Sequence, residues 1–293
     1  MMRVTAGASS LQPPQRTDPE PAAAAATFMN YEFCARTDTG LLRSNNEDAV
    51  AFDAANGLTV LADGMGGYNA GEVASSMAAG LVQAGMGRWL AEAGGQASPR
   101  EVRRALEICV DNANGAILQA SQANPQYAGM GTTLVAACFH DNRLVLGHIG
   151  DSRGYRLRDG ALDQITRDHS WLQEQVDAGI ITAEQAAVSP NRNLVTRALG
   201  VEEAAQIEVH EHRVEPGDLY LLCSDGLPDM VDDDDIATIL RAGLSLEDTA
   251  RTLIDSANAQ GGRDNISVVL IRATASAAGR RGLMSRLFGT IGF

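Results

Sequence analysis

The stretch LTVLADGMGG, residues 58–67, is the most informative part of the chain, because an apolar run ends there at Asp63 and is followed by glycines. Two other aspartates hold related positions: Asp225 follows the apolar run LYLLC, and Asp264 stands just before the run ISVVLI. Packing on both faces fixes a buried strand, so a carboxylate at its end is held still while its oxygens stay accessible. Mg²⁺ and Mn²⁺ prefer all-oxygen ligands of this kind. The pattern therefore favours a divalent-metal site.

An aspartate followed by glycine is also typical of a tight hairpin turn. Asp159 and Gly160 fit that description, since the segment YRLRDGALDQI alternates on both sides of them. For any one of the three strand-end aspartates taken alone, capping of local structure is as good an interpretation as metal binding. No alternating partner strand follows ADGMGG or SDGLPD, which favours the metal interpretation for the set.

Composition excludes several classes of function. The chain has 293 residues, 45% of them hydrophobic, and carries 37 acidic against 23 basic residues for a net charge of −14, which argues against a nucleic-acid surface. Every basic residue is arginine, which excludes a Schiff-base or P-loop lysine. Four scattered cysteines without CxxC spacing predict reduced thiols in a cytoplasmic protein, and no stretch has the length and hydrophobicity of a membrane span. The four cysteines are Cys34, Cys109, Cys138 and Cys223.

Apolar periodicity predicts runs of strands and pairs of helices, hence an α+β fold with two antiparallel sheets and helices packed outside. The strand-like segments are NYEFCART, residues 48–53, residues 57–62, GTTLVAACFH, RLVLGHIG, SRGYRLR, ALDQIT, QIEVHEHRV, DLYLLCS and ISVVLIRA; the helix-like segments are residues 71–93, 99–123, WLQEQVDAG, 232–242 and 246–259. Closely joined consecutive strands are expected to pair antiparallel. Residues 1–28, rich in proline and alanine, are predicted to be a disordered extension, and Met29 is a second candidate start.

Seven segments in order resemble the metal-dependent protein phosphatases, the type 2C-like serine/threonine group (PPM), in their bacterial form. They are RSNNEDA, LADGMGG, GMGTT, GHIGDSRGY, TRDHS, CSDGLPD and GRDNISVVL, and the match spans residues 30–272. The resemblance implies a central antiparallel β-sandwich with helices on both outer faces, in α-β-β-α layers. It also implies a catalytic domain at residues 29–274 with a flap at about 168–200.

The same resemblance implies the metal ligands. Asp63 matches the aspartate that bridges two Mn²⁺ or Mg²⁺ ions, the Gly64 carbonyl completes the first site, and Asp225 and Asp264 hold the second ion. Asp151 matches a ligand of a weaker third ion. The implied activity is hydrolysis of phosphoserine and phosphothreonine by a hydroxide that bridges the two ions.

Residues around the metals receive roles in the same way. Glu47 and Asp48 match acidic groups that orient metal-bound waters, and Asn265, beside Asp264, belongs to the same surroundings of the metals. Arg43 matches the arginine that grips the substrate phosphate, so the implied catalytic set is Asp63, Asp225, Asp264 and Arg43. In the flap, Arg192 and Asn193 are candidates for substrate contact, with plain surface solvation as the alternative.

One departure from the pattern concerns the leaving group. Eukaryotic relatives have a histidine after the first DG, where this chain has Met65. His169 is a candidate substitute, although a structural or hydrogen-bonding role is the favoured interpretation. His148 lies within a strand and is expected to be packed, while His210 and His212 are expected at the surface, far from the motifs. The acidic run 232–235 is expected to cap a helix rather than to bind calcium.

The implied partners are phosphorylated proteins, among them a bacterial Ser/Thr kinase that this enzyme would oppose and that kinase's substrates. The alternative is a catalytically inactive regulator of the same fold that docks phosphoproteins. A generic cation-binding module is a third alternative, but it would need neither Arg43 nor the GDSR segment. We expect a monomer. Residues 275–293 are predicted to be a basic amphipathic tail that docks on a partner protein or an anionic membrane surface, or else packs back on the core or stays disordered.

Overall fold

The computed structural model of the chain describes residues 29–67, 70–94, 97–187, 189 and 194–276. The N-terminal extension, Arg192, Asn193 and the tail after residue 276 lie outside the described residues. The strands are β1 Met29–Asp38, β2 Asp48–Asp53, β3 Leu58–Met65, β4 Gly131–Thr132, β5 Leu134–His140, β6 Arg143–Ile149, β7 Arg153–Arg158, β8 Ala161–Gln164, β9 Glu208–Arg213, β10 Leu219–Cys223 and β11 Ile266–Ala275. The helices are α1 Ala70–Ala93, α2 Pro99–Ala123, α3 Trp171–Asp177, α4 Ala183–Ala187, α5 Asp233–Arg241 and α6 Leu246–Ala259.

Two antiparallel sheets form the centre of the molecule. One has the order β1-β11-β10-β7-β8, and the other has the order β2-β3-β5-β6-β9 with β4 paired to β3. One apolar cluster lies between the sheets, a second joins α1 and α2 to the β3 sheet, and a third joins α5 and α6 to the β11 sheet. The α-β-β-α layering expected from the sequence is confirmed. No helix in the described part of the chain is long and apolar enough to cross a membrane.

The helix starts follow from local sequence. Ser98 caps α2: its side chain accepts a hydrogen bond from the backbone of Glu101, whose carboxylate accepts one from the Ser98 backbone in return. Asp232 caps α5 by accepting from the backbone of Asp235, as the acidic run predicts. The short helix α4 was not predicted from the sequence.

The link between β6 and β7 differs from the expected run of hairpins. The two strands lie in different sheets and do not pair, because the chain crosses from one sheet to the other at residues 150–152. Gly150 has a φ of 102°, and a Cβ on it would lie 2.6 Å from the Thr133 side chain, so only glycine fits. The crossing puts Asp151 at the junction of the two sheets, which hydrophobic alternation could not show.

Strand β3 is longer than the expected segment 57–62, and Asp63 therefore lies within the strand rather than at its last residue. The pairing of Gly64 with Thr132 of β4 extends the strand. In register, Asp63 stands opposite Asp48 of β2.

Candidate metal and phosphate site

A cavity of about 370 Å³ collects most of the residues that the sequence singles out. They come from the loop after β1, from β3, from the sheet crossing, from the loop after β10 and from the turn before β11. Its lining includes Arg43, Glu47, Asp63, Gly64, Met65, Asp151, Asp225, Asp264 and Asn265. Asp48 lies behind this lining, and Arg192 and Asn193 fall outside the described residues.

The backbone of Asp63 is held on both sides by the segment that joins β4 to β5. Its N–H donates to the Thr133 hydroxyl at 3.0 Å, and its carbonyl accepts from the Thr133 N–H and the Thr132 hydroxyl, each at 2.9 Å. The Thr133 hydroxyl also lies 2.7 Å from the Ser152 hydroxyl, next to Asp151. These bonds fix two of the cavity aspartates relative to each other.

Two glycines allow the backbone segments to approach closely. A Cβ on Gly64 would lie 2.1 Å from the Gly71 carbonyl oxygen, where α1 begins, and one on Gly226 would lie 2.0 Å from the carbonyl oxygen of Asn265. Neither position accepts any other residue without displacement of backbone. The Asp-Gly pairs at 63–64 and 225–226 are therefore required for backbone contact between segments, unlike the hairpin pair at 159–160.

Asn265 joins the turn before β11 to the loop that carries Arg43. Its Nδ2 donates to the carbonyls of Thr39 and Asn45, each at 2.9 Å, and its Oδ1 accepts from the Glu47 N–H at 2.7 Å. Arg43 Nη2 lies 2.6 Å from Asp264 Oδ2, with half of the arginine side chain exposed. The guanidinium therefore stands at the mouth of the cavity.

Asp48 is a buried carboxylate with only part of its hydrogen-bonding capacity used. Its Oδ2 accepts from the Ser224 hydroxyl at 2.7 Å, and its Oδ1 is buried without a hydrogen-bond partner. Burial raises the pKa of Asp48 to about 6. An orphaned carboxylate oxygen this close to Asp63 indicates that the region is arranged for an additional donor or cation.

Burial and repulsion between neighbouring carboxylates dominate the electrostatics of the cavity. They raise the pKa values of Asp63 and Asp225 well above the ordinary range. Burial and then the charge of Asp168 raise the pKa of Asp151 to about 7. Among the described residues that line the cavity, Arg43 is the only basic one. Clustered carboxylate oxygens that lack internal counter-charge fit divalent cations, so the residues present suit the metals that the sequence implies.

A second cavity, of about 500 Å³, adjoins the first and shares Asp151 and Asp225 with it. Helices α3, α4 and the start of α5 surround it. Arg153 and Asp168 line it as a bidentate pair, with the Asp168 oxygens 2.7 to 3.1 Å from the guanidinium nitrogens. The space beside the aspartates is therefore wide enough for more than a phosphate group.

The histidines are placed partly as expected. His148 is fully buried, and His169 Nδ1 accepts from the Gly150 N–H at 3.2 Å, away from the cavity lining. The expectation that His210 lies far from the motifs is wrong, because its ring stacks on His148 with 6.2 Å between centroids. Strands β6 and β9 are neighbours, and that pairing was not readable from the sequence.

Comparison with known proteins agrees with this geometry. The family model described as protein phosphatase 2C matches residues 43–269. The serine/threonine protein phosphatase PstP of Mycobacterium tuberculosis is 45% identical over 239 residues, which cover 81% of this chain and 44% of that protein. The chain thus matches less than half the length of this relative. The serine/threonine phosphatase stp of Listeria monocytogenes is 37% identical over 255 residues, which cover 86% of this chain and 99% of that protein.

Solved structures give the same result. The crystal structure of M. tuberculosis PstP/Ppp has a TM-score of 0.74 at 44% identity and covers 83% of this chain and 98% of that one. The catalytic domain of PstP in complex with two manganese ions has a TM-score of 0.74 at 41% identity, with 84% and 99% covered. Family model, relatives and fold agree over nearly all of the described residues, and the chain belongs to the protein phosphatase 2C family.

Proposed function

We propose that this chain hydrolyses phosphoserine and phosphothreonine in proteins with the help of two Mn²⁺ or Mg²⁺ ions. One observation carries the proposal: aspartates from four separate segments converge on one cavity whose only described basic lining residue is Arg43. The solved structure of the PstP catalytic domain in complex with two manganese ions supports the choice of metal.

The proposed ligands are Asp63, the Gly64 carbonyl, Asp225 and Asp264, with Asp151 beside a weaker third position. When bound, two such cations supply a hydroxide near neutral pH and offset negative charge on the phosphoryl oxygens. Glu47 and Asn265 line the same cavity, and Asp48 lies behind that lining. Of these, Asn265 has its hydrogen bonds taken by the loop of residues 39–47, so its role is to fix the position of Asp264.

Arg43 is the proposed phosphate-binding residue. Its guanidinium is half-exposed and, among the described residues, hydrogen-bonds Asp264 through one nitrogen, so its other N–H groups can face an incoming phosphate. The planar fork of an arginine suits two phosphoryl oxygens at once.

The described residues that line the cavity include no histidine that could act as a general acid for the departing alcohol. Met65 occupies the position where eukaryotic relatives have histidine, and His169 is turned towards Gly150 and Glu208. We infer that the leaving alkoxide takes its proton from water. Replacing Met65 with histidine would then alter the pH dependence of turnover if that proton transfer limits the rate.

The proposed substrates are phosphorylated proteins, including those of a Ser/Thr kinase that this enzyme opposes. An inactive phosphoprotein-binding regulator would be expected to lack at least one metal ligand, whereas each proposed ligand is retained here. The proposed domain limits are a catalytic unit at 29–274 with a flap at about 168–200, an N-terminal extension at 1–28, and a tail at 275–293 that docks on a partner or an anionic membrane surface.

The test is a titration of Mn²⁺ or Mg²⁺ into the chelator-treated full chain, with hydrolysis of a phosphothreonine peptide as the readout. We expect turnover to be absent without metal and to saturate with it, and a phosphotyrosine peptide of the same sequence to serve as the control. Saturable metal binding with no turnover of any phosphoserine or phosphothreonine peptide would favour the regulator.

A further inference from the structure

The second cavity, of about 500 Å³, lies beside the proposed reaction centre, between α3, α4 and the start of α5. Asp151 and Asp225 line both this cavity and the aspartate cavity, so the two spaces adjoin. An extended chain advances about 3.3–3.6 Å per residue, so residues within about four of a phosphoresidue can reach the second cavity while the phosphate lies in the first. The lining of the second cavity should therefore select among substrates.

This lining carries more negative than positive charge. Its six aspartates are Asp151, Asp168, Asp225, Asp229, Asp232 and Asp233. Arg153 is the only basic residue among the described residues of the lining, and its charge is offset by Asp168. Asp232 and Asp233, at the start of α5, are exposed and form no salt bridge with a described residue. The cavity therefore keeps negative charge beyond that of the proposed metal ligands.

The lining also offers hydrogen-bond acceptors, because several of its donors are directed at other protein groups. Arg153 Nε and Nη2 donate to Asp168. Gln164 Nε2 also donates to Asp168, at 2.9 Å, and the side-chain nitrogen of Gln173 donates to Asp177 at 2.8 Å. The side-chain carbonyl oxygens of the two glutamines accept no hydrogen bond from a described residue. Such a lining matches a ligand that carries donors only, as the charged ends of arginine and lysine do.

A buried carboxylate where the two cavities adjoin indicates the same class of ligand. Asp151 is only 7% exposed, yet its side chain accepts no hydrogen bond from any other described residue. Burial of a carboxylate without a partner is costly unless a cation lies beside it. The space between Asp151 and the start of α5 therefore favours a positively charged ligand over a neutral or anionic one.

Part of the lining is apolar, and this part distinguishes a basic side chain from a bare metal ion. It consists of Leu172, Val176, Ala183, Ala186 and Pro228. Long basic side chains pack their methylene stems on apolar surface and keep the charged end at polar groups. A guanidinium can also contact more than one carboxylate through its planar fork of donors. An arginine side chain therefore matches both the apolar and the acidic part of the lining.

We propose that the second cavity binds an arginine side chain of the substrate, within about four residues of the phosphoresidue. Asp232 and Asp233 hold its guanidinium, and the apolar residues of α3 and α4 pack on its stem. The proposal rests on the proposed phosphatase function and specifies the substrate class as phosphoproteins with arginine near the phosphoresidue. An acidic residue at the same place in the substrate is repelled, which adds to the discrimination.

The test uses the full chain at saturating Mn²⁺ and a phosphothreonine peptide of otherwise uncharged residues. Arginine is placed singly at each of the four positions before and the four positions after the phosphothreonine, with glutamine and glutamate at the same positions for comparison. The readout is kcat/KM for each peptide. At one position or two neighbouring positions, we expect arginine to raise kcat/KM roughly three- to fivefold over glutamine and glutamate to lower it.

Variants at the start of α5 assign this preference to the cavity. Asp233→Asn should lower the ratio of kcat/KM for the arginine peptide to that for the glutamine peptide by at least about twofold, and Asp233→Arg should make glutamate the preferred residue. Asp234→Asn is the matched control, because it removes an equal charge from the same helical turn but does not line the cavity. Each ratio compares two peptides on one enzyme, so a general loss of folded protein cancels. Asp232→Asn, in which asparagine can still cap α5, keeps the test decisive if the Asp233 variants fail to fold.

Equal kcat/KM for arginine and glutamine at every position would overturn the proposal. An arginine preference that Asp234→Asn lowers as much as Asp233→Asn would also overturn it, because the preference would then arise from the overall charge of −14. Absence of turnover with every peptide would instead contradict the proposed function. The same ratios would then be taken from dissociation constants of the intact phosphopeptides, measured by fluorescence anisotropy in Mg²⁺, and would decide whether the cavity binds arginine.

Discussion

The buried carboxylate of Asp218 and those of Asp63 and Asp225 differ in which groups surround them. The Asp218 side chain is fully buried, yet Arg158 Nε and Nη2 each donate to it at 2.7 Å. The Glu215 N–H and the Tyr220 hydroxyl add bonds of 2.8 and 2.9 Å. Burial acts against ionisation, but these donors, Arg158 first, hold the pKa of Asp218 below its ordinary value. This carboxylate has a complete set of partners within the chain.

Asp63 and Asp225 are in the opposite situation. Among the described residues that line their cavity the sole cation, Arg43, pairs with Asp264 instead, and burial with mutual repulsion raises the pKa values of both aspartates. The charge of a buried carboxylate such as Asp218 is compensated by a cation of its own chain, so loss of either partner destabilises the fold. Asp63 and Asp225 lack such a partner, so their charges are available to a ligand at the expense of stability in the metal-free protein.

Loss of a carboxylate from the aspartate centre should give the largest effect. We expect Asp225→Asn to lower turnover of a phosphothreonine peptide by at least about two orders of magnitude, because it removes a proposed metal ligand. The same change should leave the metal-free protein as stable as the parent, or more stable, since a repelled charge is removed. Steady-state kinetics at saturating Mn²⁺ and thermal unfolding in chelator measure the two effects. Near-parental turnover would show that Asp225 is not a metal ligand.

The same substitution at Asp218, the carboxylate paired with Arg158, should lower stability and leave turnover unchanged. Asp218→Asn leaves Arg158 with a poorer partner, so we expect the free energy of unfolding to fall by roughly 2 to 3 kcal/mol. Turnover per folded molecule should be unchanged. Denaturant unfolding followed by kinetics on the folded fraction tests this expectation, with Asp163→Asn as the control. Asp163 pairs with Arg156 at a half-exposed position, where the loss should stay below about 1 kcal/mol.

The sequence predicts the aspartate centre better than it predicts the topology that builds it. Asp63, Asp225 and Asp264 stand at the ends of apolar runs, and that pattern is visible because the strands bury both faces. The site nevertheless depends on pairings between segments far apart in the chain. Asp48 is opposite Asp63 only because β2 and β3 are in register, and Asp151 joins them because the chain changes sheet at Gly150. Hydrophobic alternation carries no information about which sheet the next strand joins.

The cluster of His148, His169 and Glu208 is a second example of an arrangement that local sequence does not predict. Local sequence predicts a packing role for His148 and a structural or hydrogen-bonding role for His169. Both side chains do have buried, hydrogen-bonded positions. The sequence pattern did not single out Glu208 as a functional residue, since it is one polar residue in an alternating strand. The group exists because β6 pairs with β9 in a register that places His148 opposite Glu208. Long-range register is decided by packing of whole sheets, so one sequence without relatives could not show it.

In the metal-free protein, burial of the carboxylates and the repulsion between them should make the free energy of unfolding depend on pH. The pKa values of Asp48 and Asp151 are raised to about 6 and about 7, so the folded metal-free protein binds more protons than the unfolded chain in this range. Its free energy of unfolding should therefore rise by about 1 to 2 kcal/mol between pH 8 and pH 6. Saturating Mg²⁺ should reverse the slope, because protons compete with the metal. Parallel slopes in unfolding curves with Mg²⁺ and with chelator would contradict this account.

The smallest expected effect concerns Arg43, which pairs with Asp264, in comparison with Arg158, which pairs with Asp218. Arg43 is half-exposed at the mouth of the cavity, so Arg43→Ala should change the free energy of unfolding by less than about 0.5 kcal/mol. It should raise the KM for a phosphothreonine peptide roughly five- to tenfold, since a charge-assisted contact to phosphate is lost while the proposed metal ligands remain. Mn²⁺ affinity measured by calorimetry should stay unchanged. Arg158→Ala is the matched control, with the reverse result: lower stability and an unaltered KM. If Arg43→Ala instead weakens Mn²⁺ binding while the KM at saturating Mn²⁺ stays constant, the guanidinium holds Asp264 in place for the metal and does not bind the substrate phosphate.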